Sequence, residues 1–442
     1  MLGVTHAEDL KRSEREVMRV AKLTITALGG TREVGKSALL LEAGRTKVLL
    51  DYGMKLIPKQ HPEFPPVPEE VDAVLLTHAH LDHSGSLPRL VSHGKEVPVY
   101  ALDITKYYTE LLLYDTIKVA KARGHDVGYG AREISRTLEN FRQVEFNVPF
   151  RVGDMEVIAI DAGHIPGSAM FYVNYNGTSL LYTGDFNTVE SRLMPAARLE
   201  DVPKVDILIT ESTYAKREHP PRDRQELLLR DTVIETINGG GTAIIAGFAI
   251  GRLLEVAMAL RARGFRGNLF LDGMARKSTE ITAEFSNRVR NYDEMRMTIR
   301  SLLPVRDWGM RERISKSPSV VLTTSGMLEG GPVHYYLKEK KDDENSTLTL
   351  TGYQVDGSEG RRLLEEGKME IEGEEDWVNM KVNQLNFSAH ASRSGILKLI
   401  RELEPEHLIV VHGDRTIDFA VEVEERMGIS SQAPEIGETI DF

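Results

Sequence analysis

Residues 78–83 read His-Ala-His-Leu-Asp-His and follow directly on the apolar run AVLLT at 73–77. Three imidazoles and a carboxylate on one loop leaving a strand can be aimed at a single small volume. A lone histidine is ordinarily a core or surface residue, whereas a cluster of this kind is the donor set of a metal site. The chain has no cysteine, so there is no disulfide or thiolate site and a metal must be held by His, Asp and Glu. Neutral imidazole and carboxylate suit borderline divalent ions, zinc first among them. Asp82 and His83 bring more ligands than one tetrahedral ion uses, which implies two metals. Further donors end later apolar runs: His164 in DAGHIPGSA, Asp185 in YTGDF and His412 in VVHGD. The ends of strands are where α/β folds gather their chemistry. Of the thirteen histidines, the seven at 6, 61, 93, 125, 219, 334 and 407 read as structural or surface residues.

The elements that must position these donors are legible from periodicity and punctuation. Short apolar strands are expected at 23–28, 37–43, 46–51, 73–77, 97–101, 156–160, 169–175, 178–183 and 205–210, with a helix near 103–122. After Glu211 the rhythm lengthens into alternating helices and strands: helix 222–238, strand 242–246, helix 252–263, strand 268–271. A helix at 392–403 and a strand at 408–411 close the pattern. This is an α/β chain in which paired sheets are interrupted by an inserted α/β unit. Segment 1–20 is charged throughout; it reads as a polar helix outside the core and not as a secretory signal. No apolar run approaches the roughly 18 residues that span a bilayer. With 41% hydrophobic and 28% charged residues over 442 positions, disorder is excluded and a cytoplasmic enzyme is expected.

A net charge of −12 argues against diffuse attraction to nucleic acid. Segment 261–316 nevertheless holds 13 Lys and Arg against 7 Asp and Glu, a local +6. Two readings stand: solvated helix faces, or an electropositive wall facing a polyanion. A second motif is a false lead. Residues 30–37, GTREVGKS, match G-x-x-x-x-G-K-[ST], but a phosphate-cradling loop needs a helix immediately after it. The continuation SALLLEAGRTKVLLD reads instead as a β-hairpin around Gly44.

Taken in order, HAHLDH, AGHIPGS, LYTGDF and the distal HG resemble the signature of the metallo-β-lactamase superfamily. TESTY at Glu211, GFAIGRLLE, LDGMA, SGMLEGGP, FSAH at 387–390 and VVHGD narrow the resemblance to the β-CASP nucleases. These include the nuclease subunit of the cleavage and polyadenylation specificity factor, its archaeal relatives and RNase J. The resemblance spans about residues 22–442 and implies an αββα metallo-β-lactamase sandwich at 21–210 and 385–442 with a β-CASP domain inserted at 211–384. It implies that His78, His80 and His164 hold one zinc and Asp82, His83 and His412 the second, with Asp185 bridging both. Asp51, ending VLLDYG, would orient a ligand histidine, although a strand-end cap is the plainer alternative. Asp82, Glu211 and His390 are the catalytic candidates, His390 being the general acid oriented by Glu211. Ser388, Arg288 and Arg290 are candidate RNA phosphate contacts.

The implied reaction is hydrolysis of single-stranded RNA to 5′-phosphate and 3′-hydroxyl products by a two-zinc centre. Two zinc ions about 3.5–4 Å apart acidify a shared water to a pKa near 7. A homodimer is expected, and no membrane partner. KH domains ahead of the core, present in one group of archaeal relatives, are not expected here, nor is the C-terminal extension of RNase J. The third β-CASP motif is His412 where the DNA-repair branch, which resembles Artemis, has valine, and this favours RNA. A small-molecule hydrolase with the same metal core would not need the insert, and a dead scaffold would have lost ligands.

Overall fold

Strand Leu23–Gly29 begins with alternating buried and half-buried residues, the pattern of a strand with one face on a core. It is one of seven in a sheet ordered Thr439–Asp441, Leu23–Gly29, Ala38–Ala43, Thr46–Leu50, Ala73–Leu75, Val99–Ala101 and Phe141–Gln143. A second seven-stranded sheet runs Ser430–Gln432, His407–Val411, Ile207–Glu211, Thr178–Tyr182, Ala169–Tyr175, Met155–Asp161 and Phe150–Val152. The computed structural model describes residues 23–371 and 373–442, so the expected helix at 1–20 lies outside the described residues.

The two sheets face one another across a core in which Ile25, Leu41 and Leu50 meet Val157, Phe171, Leu180 and Ile409. On the far side of the second sheet, helices Arg393–Leu403 and Thr416–Met427 insert Ile396, Leu399, Phe419 and Val423 against Leu181, Leu208 and Val410. Leu87 and Leu90 of helix Leu87–Ser92 cover the outer face of the first sheet. The result is the expected αββα sandwich.

A third, six-stranded sheet is entirely parallel, in the order Leu302–Pro304, Leu269–Leu271, Val320–Thr323, Ala243–Ala246, Thr347–Leu350 and Lys381–Gln384. Its central strands are buried at every residue, as a parallel sheet covered on both faces requires. Helices Arg222–Asn238 and Arg252–Ala262 pack on one face and Val333–Lys340 on the other. Among the described residues no helix is long and apolar enough to cross a membrane.

Residues 30–37 are followed by strands Ala38–Ala43 and Thr46–Leu50, an antiparallel pair turning at Gly44 with φ +62°. A strand and not a helix follows the loop, so the P-loop pattern lacks the helix that would complete a phosphate cradle. The loop braces the cluster instead: the Gly30 carbonyl accepts from His412 N at 2.7 Å, and Ser37 N donates to the Asp82 carbonyl at 2.8 Å. The expected strand 73–77 ends at Leu75, because residues 76–80 leave the sheet to carry the first histidines.

Candidate metal centre

Asp51 sits just past strand Thr46–Leu50 with φ +59°, a conformation that non-glycine residues seldom adopt. It is fully buried, and four donors converge on its carboxylate: Thr77 N at 2.7 Å, Thr77 Oγ1 at 2.8 Å, Tyr182 Oη at 2.8 Å and His83 Nδ1 at 2.6 Å. Accepting the hydrogen bond of His83 Nδ1–H, Asp51 fixes that ring with its Nε2 turned inward, the atom free to ligate once a metal displaces its proton. Gly53 allows this packing, since a Cβ there would lie 1.7 Å from the Asp82 carbonyl oxygen.

The same logic fixes two further rings. Thr77 Oγ1 gives its proton to Asp51 and so accepts from His78 Nδ1 at 3.1 Å; His164 Nδ1 donates to the Ala389 carbonyl at 3.0 Å. Both Nε2 atoms are therefore acceptors, and both approach His80 Nδ1, at 3.1 and 3.2 Å. Asp185 Oδ2 lies 3.5 Å from His78 Nε2 and 3.7 Å from His164 Nε2. Its Oδ1 lies 3.4 Å from His83 Nε2 and 3.5 Å from His412 Nδ1. His412, at φ +50°, brings Nε2 to 3.4 Å from Asp82 Oδ2. Two donor sets thus share one carboxylate: His78, His80, His164, Asp185, and Asp82, His83, Asp185, His412, each with its ligand atoms within 4.8 Å of one another.

The electrostatics separate the two sets. Burial pushes His78 and His164 well below the ordinary imidazole value, with neighbouring rings adding to it, and burial likewise takes His80 down to about 4. These rings are neutral, as metal ligands must be. In the second set burial is outweighed: Asp185 and Asp51 hold His83 well above its ordinary value, and Asp185 and Asp82 raise His412. Against burial, His412 and His83 hold the Asp185 carboxyl well below the usual carboxylate range. Burial is opposed in the same way at Asp82, where His412 and His83 pull its carboxyl down.

Among the described residues His80 Nε2, His83 Nε2 and Asp185 Oδ1 are buried without a hydrogen-bond partner. Buried polar atoms are ordinarily satisfied, and His83 Nε2 and Asp185 Oδ1, 3.4 Å apart, stand open where a cation would complete them. The donor set is all nitrogen and oxygen, and it fits zinc or a similar divalent ion.

Glu211, the last residue of strand Ile207–Glu211, is 1% exposed and receives His390 Nδ1 at 3.0 Å on both carboxylate oxygens. Its Oε1 also accepts Phe186 N at 3.1 Å. Burial would lower His390, but Glu211 and Asp185 raise it to about 9. Its ring centroid is 4.7 Å from that of His164, so the pair stands at the rim of the first donor set. His219, expected to be structural or surface, donates from Nε2 to the His390 carbonyl at 3.1 Å and fixes that loop. Tyr182 and Thr77, which hold Asp51, had no motif to mark them.

A cleft of about 460 Å³ opens beside His80 and His164 and is lined further by Arg222, Phe248, Arg252 and Ser388. Ser388 lines this cleft, and its Oγ accepts from His390 N at 3.2 Å. No residue of the basic segment 261–316 lines this cleft. Arg288 is 6% exposed and bonded to Asp103 at 2.7 Å and Glu145 at 2.6 Å, which engages its guanidinium within the fold. Arg290 pairs with Glu190 at 2.5 Å and donates to the carbonyl of Ser191, a residue of the cleft lining, at 3.1 Å.

Models of three domain families match the chain: the metallo-beta-lactamase superfamily over residues 31–229, the Beta-Casp domain over 253–363, and the Zn-dependent metallo-hydrolase RNA specificity domain over 377–434. The chain is 32% identical to "RNase aCSPSF2" of Saccharolobus solfataricus, over 94% of this chain and 84% of that protein. It is 34% identical to "Probable RNase MJ4" of Methanocaldococcus jannaschii, over 93% and 98% of the two chains. Transcription termination factor FttA of Pyrococcus horikoshii is 33% identical over 95% of this chain and 71% of that protein. A crystal structure of a protein of unknown function from Enterococcus faecalis V583 shares the fold, with TM-score 0.60 and 16% identity, covering 96% of this chain and all of that one. Fold and site together define a metallo-hydrolase of the metallo-β-lactamase superfamily. Within it the chain belongs to the β-CASP ribonuclease family.

Proposed function

We propose that the protein cleaves phosphodiester bonds of single-stranded RNA with two zinc ions, leaving 5′-phosphate and 3′-hydroxyl ends. The observation that carries this reading is the junction of two nitrogen and oxygen donor sets on Asp185 with the Glu211–His390 pair at their rim. His78, His80 and His164 would hold one ion, Asp82, His83 and His412 the other, with Asp185 between them. Bound there, the ions would polarise the phosphoryl oxygens and acidify a water for attack.

The chain's own residues do the rest. Asp51 holds the His83 tautomer, and the Ala389 carbonyl holds that of His164. Glu211 fixes His390 by its Nδ1 proton, which leaves Nε2–H free to protonate the departing 3′ oxygen. We further read residues 211–384 as the β-CASP insert that bounds the cleft; the parallel sheet, which ends on Lys381–Gln384, supports that boundary.

Incubating the protein with 5′-labelled and with internally labelled RNA, then sizing products and testing their ends, examines the reading. Cleavage with 5′-phosphate products is expected. Internal fragments indicate endonuclease action, and released mononucleotides with a shrinking 5′-labelled pool indicate 5′→3′ exonuclease action. Turnover of β-lactam or thioester substrates with no RNA cleavage would replace the reading with a small-molecule hydrolase.

A further inference from the structure

The strongest feature that the site's chemistry leaves unused is a pair of guanidinium groups in the cleft. Arg222 opens helix Arg222–Asn238, and Arg252 opens helix Arg252–Ala262. Arg222 is held by Nη2, which donates to the Ser388 carbonyl at 2.9 Å, and by the Phe387 ring, 5.0 Å from its carbon Cζ. Its Nη1 is buried and has no hydrogen-bond partner. Arg252 donates from Nη1 to the Thr351 carbonyl at 2.9 Å and is backed by Gly352, where a Cβ would lie 3.3 Å from that nitrogen.

Among the described residues neither guanidinium has a carboxylate at ion-pair distance. Glu255 is the one carboxylate in the cleft lining, and it is already bonded to Ser191 Oγ, Arg192 N and Leu193 N, at 2.9, 3.1 and 2.7 Å. The two cations also oppose one another: burial and the charge of Arg222 pull Arg252 down to about 10. Two like charges, half-buried in one cleft and one of them with a buried unpartnered donor, call for an anion that offers oxygens to both.

We propose that Arg222 and Arg252 seat a second phosphate of the RNA, neighbouring the one cleaved at the Asp185 cluster. This rests on the ribonuclease reading above. The seat is distinct from the donor sets, because the imidazoles and Asp185 face the point where the scissile phosphate must lie. Phe248 forms the cleft wall beside Arg252, its ring centroid 6.4 Å from that of His80. The two arginines would therefore set register along the strand and take no part in bond breaking.

The test uses the metal-loaded protein and a set of RNAs, each with a single uncharged methylphosphonate linkage, scanned across the cleavage site. In the parent, one linkage besides the scissile one should lower kcat/KM by about 10–100-fold, the loss expected when a charge-assisted hydrogen-bond pair goes. Arg252→Met and Arg222→Met should cause a loss of similar size on unmodified RNA, chiefly in KM. At that linkage the variants should then lose nothing further. Arg222→Lys and Arg252→Lys should recover part of the loss, and metal content should stay at the parent value in all four. A parent with no second sensitive linkage overturns the proposal, as do variant and methylphosphonate losses that simply multiply. Those outcomes leave the ribonuclease reading intact. A metal-loaded parent that cleaves none of the RNAs ends the ribonuclease reading, and the phosphate seat with it.

Discussion

The loop at 78–83 and the stretch at 261–316 both concentrate ionisable side chains, and the fold treats them in opposite ways. In the first, side chains from one loop are joined by His164, Asp185 and His412, and three of the buried donor atoms are left without partners. In the second, Arg263 meets Asp223 and Glu226, Arg288 meets Asp103 and Glu145, and Arg311 meets Asp272. Arg261 donates to the Phe265 and Gly267 carbonyls, and Arg276 donates by Nη1 to the Val305 carbonyl while its Nε stays open. A count of charge finds both regions. Convergence separates them: at the first, ligand atoms from several strands crowd one point around Asp185, whereas at the second most cations are met singly by partners of the fold.

The largest expected effect is at the carboxylate shared by both donor sets. Asp185→Asn removes the charge facing His78, His83, His164 and His412, so both metals should be lost together with all measurable cleavage. Metal analysis of the purified variant checks this; a variant that keeps its metals and activity breaks the comparison at its root. Next come His390→Ala and His412→Ala. The first should keep the parent's metal content and lower cleavage by about 10²–10⁴, the usual worth of a general acid. The second should also weaken metal binding. Equal metal loss in both would mean that His390 is a ligand.

The basic stretch is tested through stability. Arg288→Ala leaves Asp103 and Glu145 without their partner and should cost about 1.5–3 kcal/mol in urea denaturation. Arg290→Ala, at the surface, should stay within about 0.5 kcal/mol. Unchanged stability for Arg288→Ala with weakened RNA binding would return the segment to the RNA path.

The smallest effect concerns Asp161, near Arg288. Burial pushes its carboxyl up to about 6 against the Gly163 amide, Arg198 and Arg288. A carboxyl raised in the folded state contributes stability that is full below the unfolded value near 3.8 and is lost as pH rises through 6. Asp161→Asn keeps an acceptor for Gly163 N and does not ionise. Its urea midpoint should therefore gain on the parent's between pH 5 and pH 7.5, and parallel curves over that range would contradict the assignment.

How much of this was legible in the sequence follows from chain distance. HAHLDH is readable because one loop delivers four of the donors, and the strands before His164, Asp185 and His412 show that each leaves a sheet edge. The paired sheets and the hairpin after Ser37 follow from apolar runs punctuated by glycine. Arg222 and Arg252 were not distinguishable from ordinary helix-opening arginines, since only the packing of the two helices brings them to one cleft. The pairing of Arg288 was hidden for the complementary reason: its partners Asp103 and Glu145 lie far upstream, and local charge counts do not see them. Tyr182 lies in a strand where its hydroxyl, bonded to Asp51, is indistinguishable from a core aromatic.

The central claim is that the atoms left open around Asp185 are a two-metal centre that cleaves RNA. The direct measurement is metal content per chain of the purified protein, taken alongside RNA cleavage while a chelator removes metal stepwise and zinc is then restored. The account predicts close to two zinc ions per chain, loss of cleavage as they leave and recovery as they return. A single bound metal, or cleavage undiminished after verified metal removal, would contradict it.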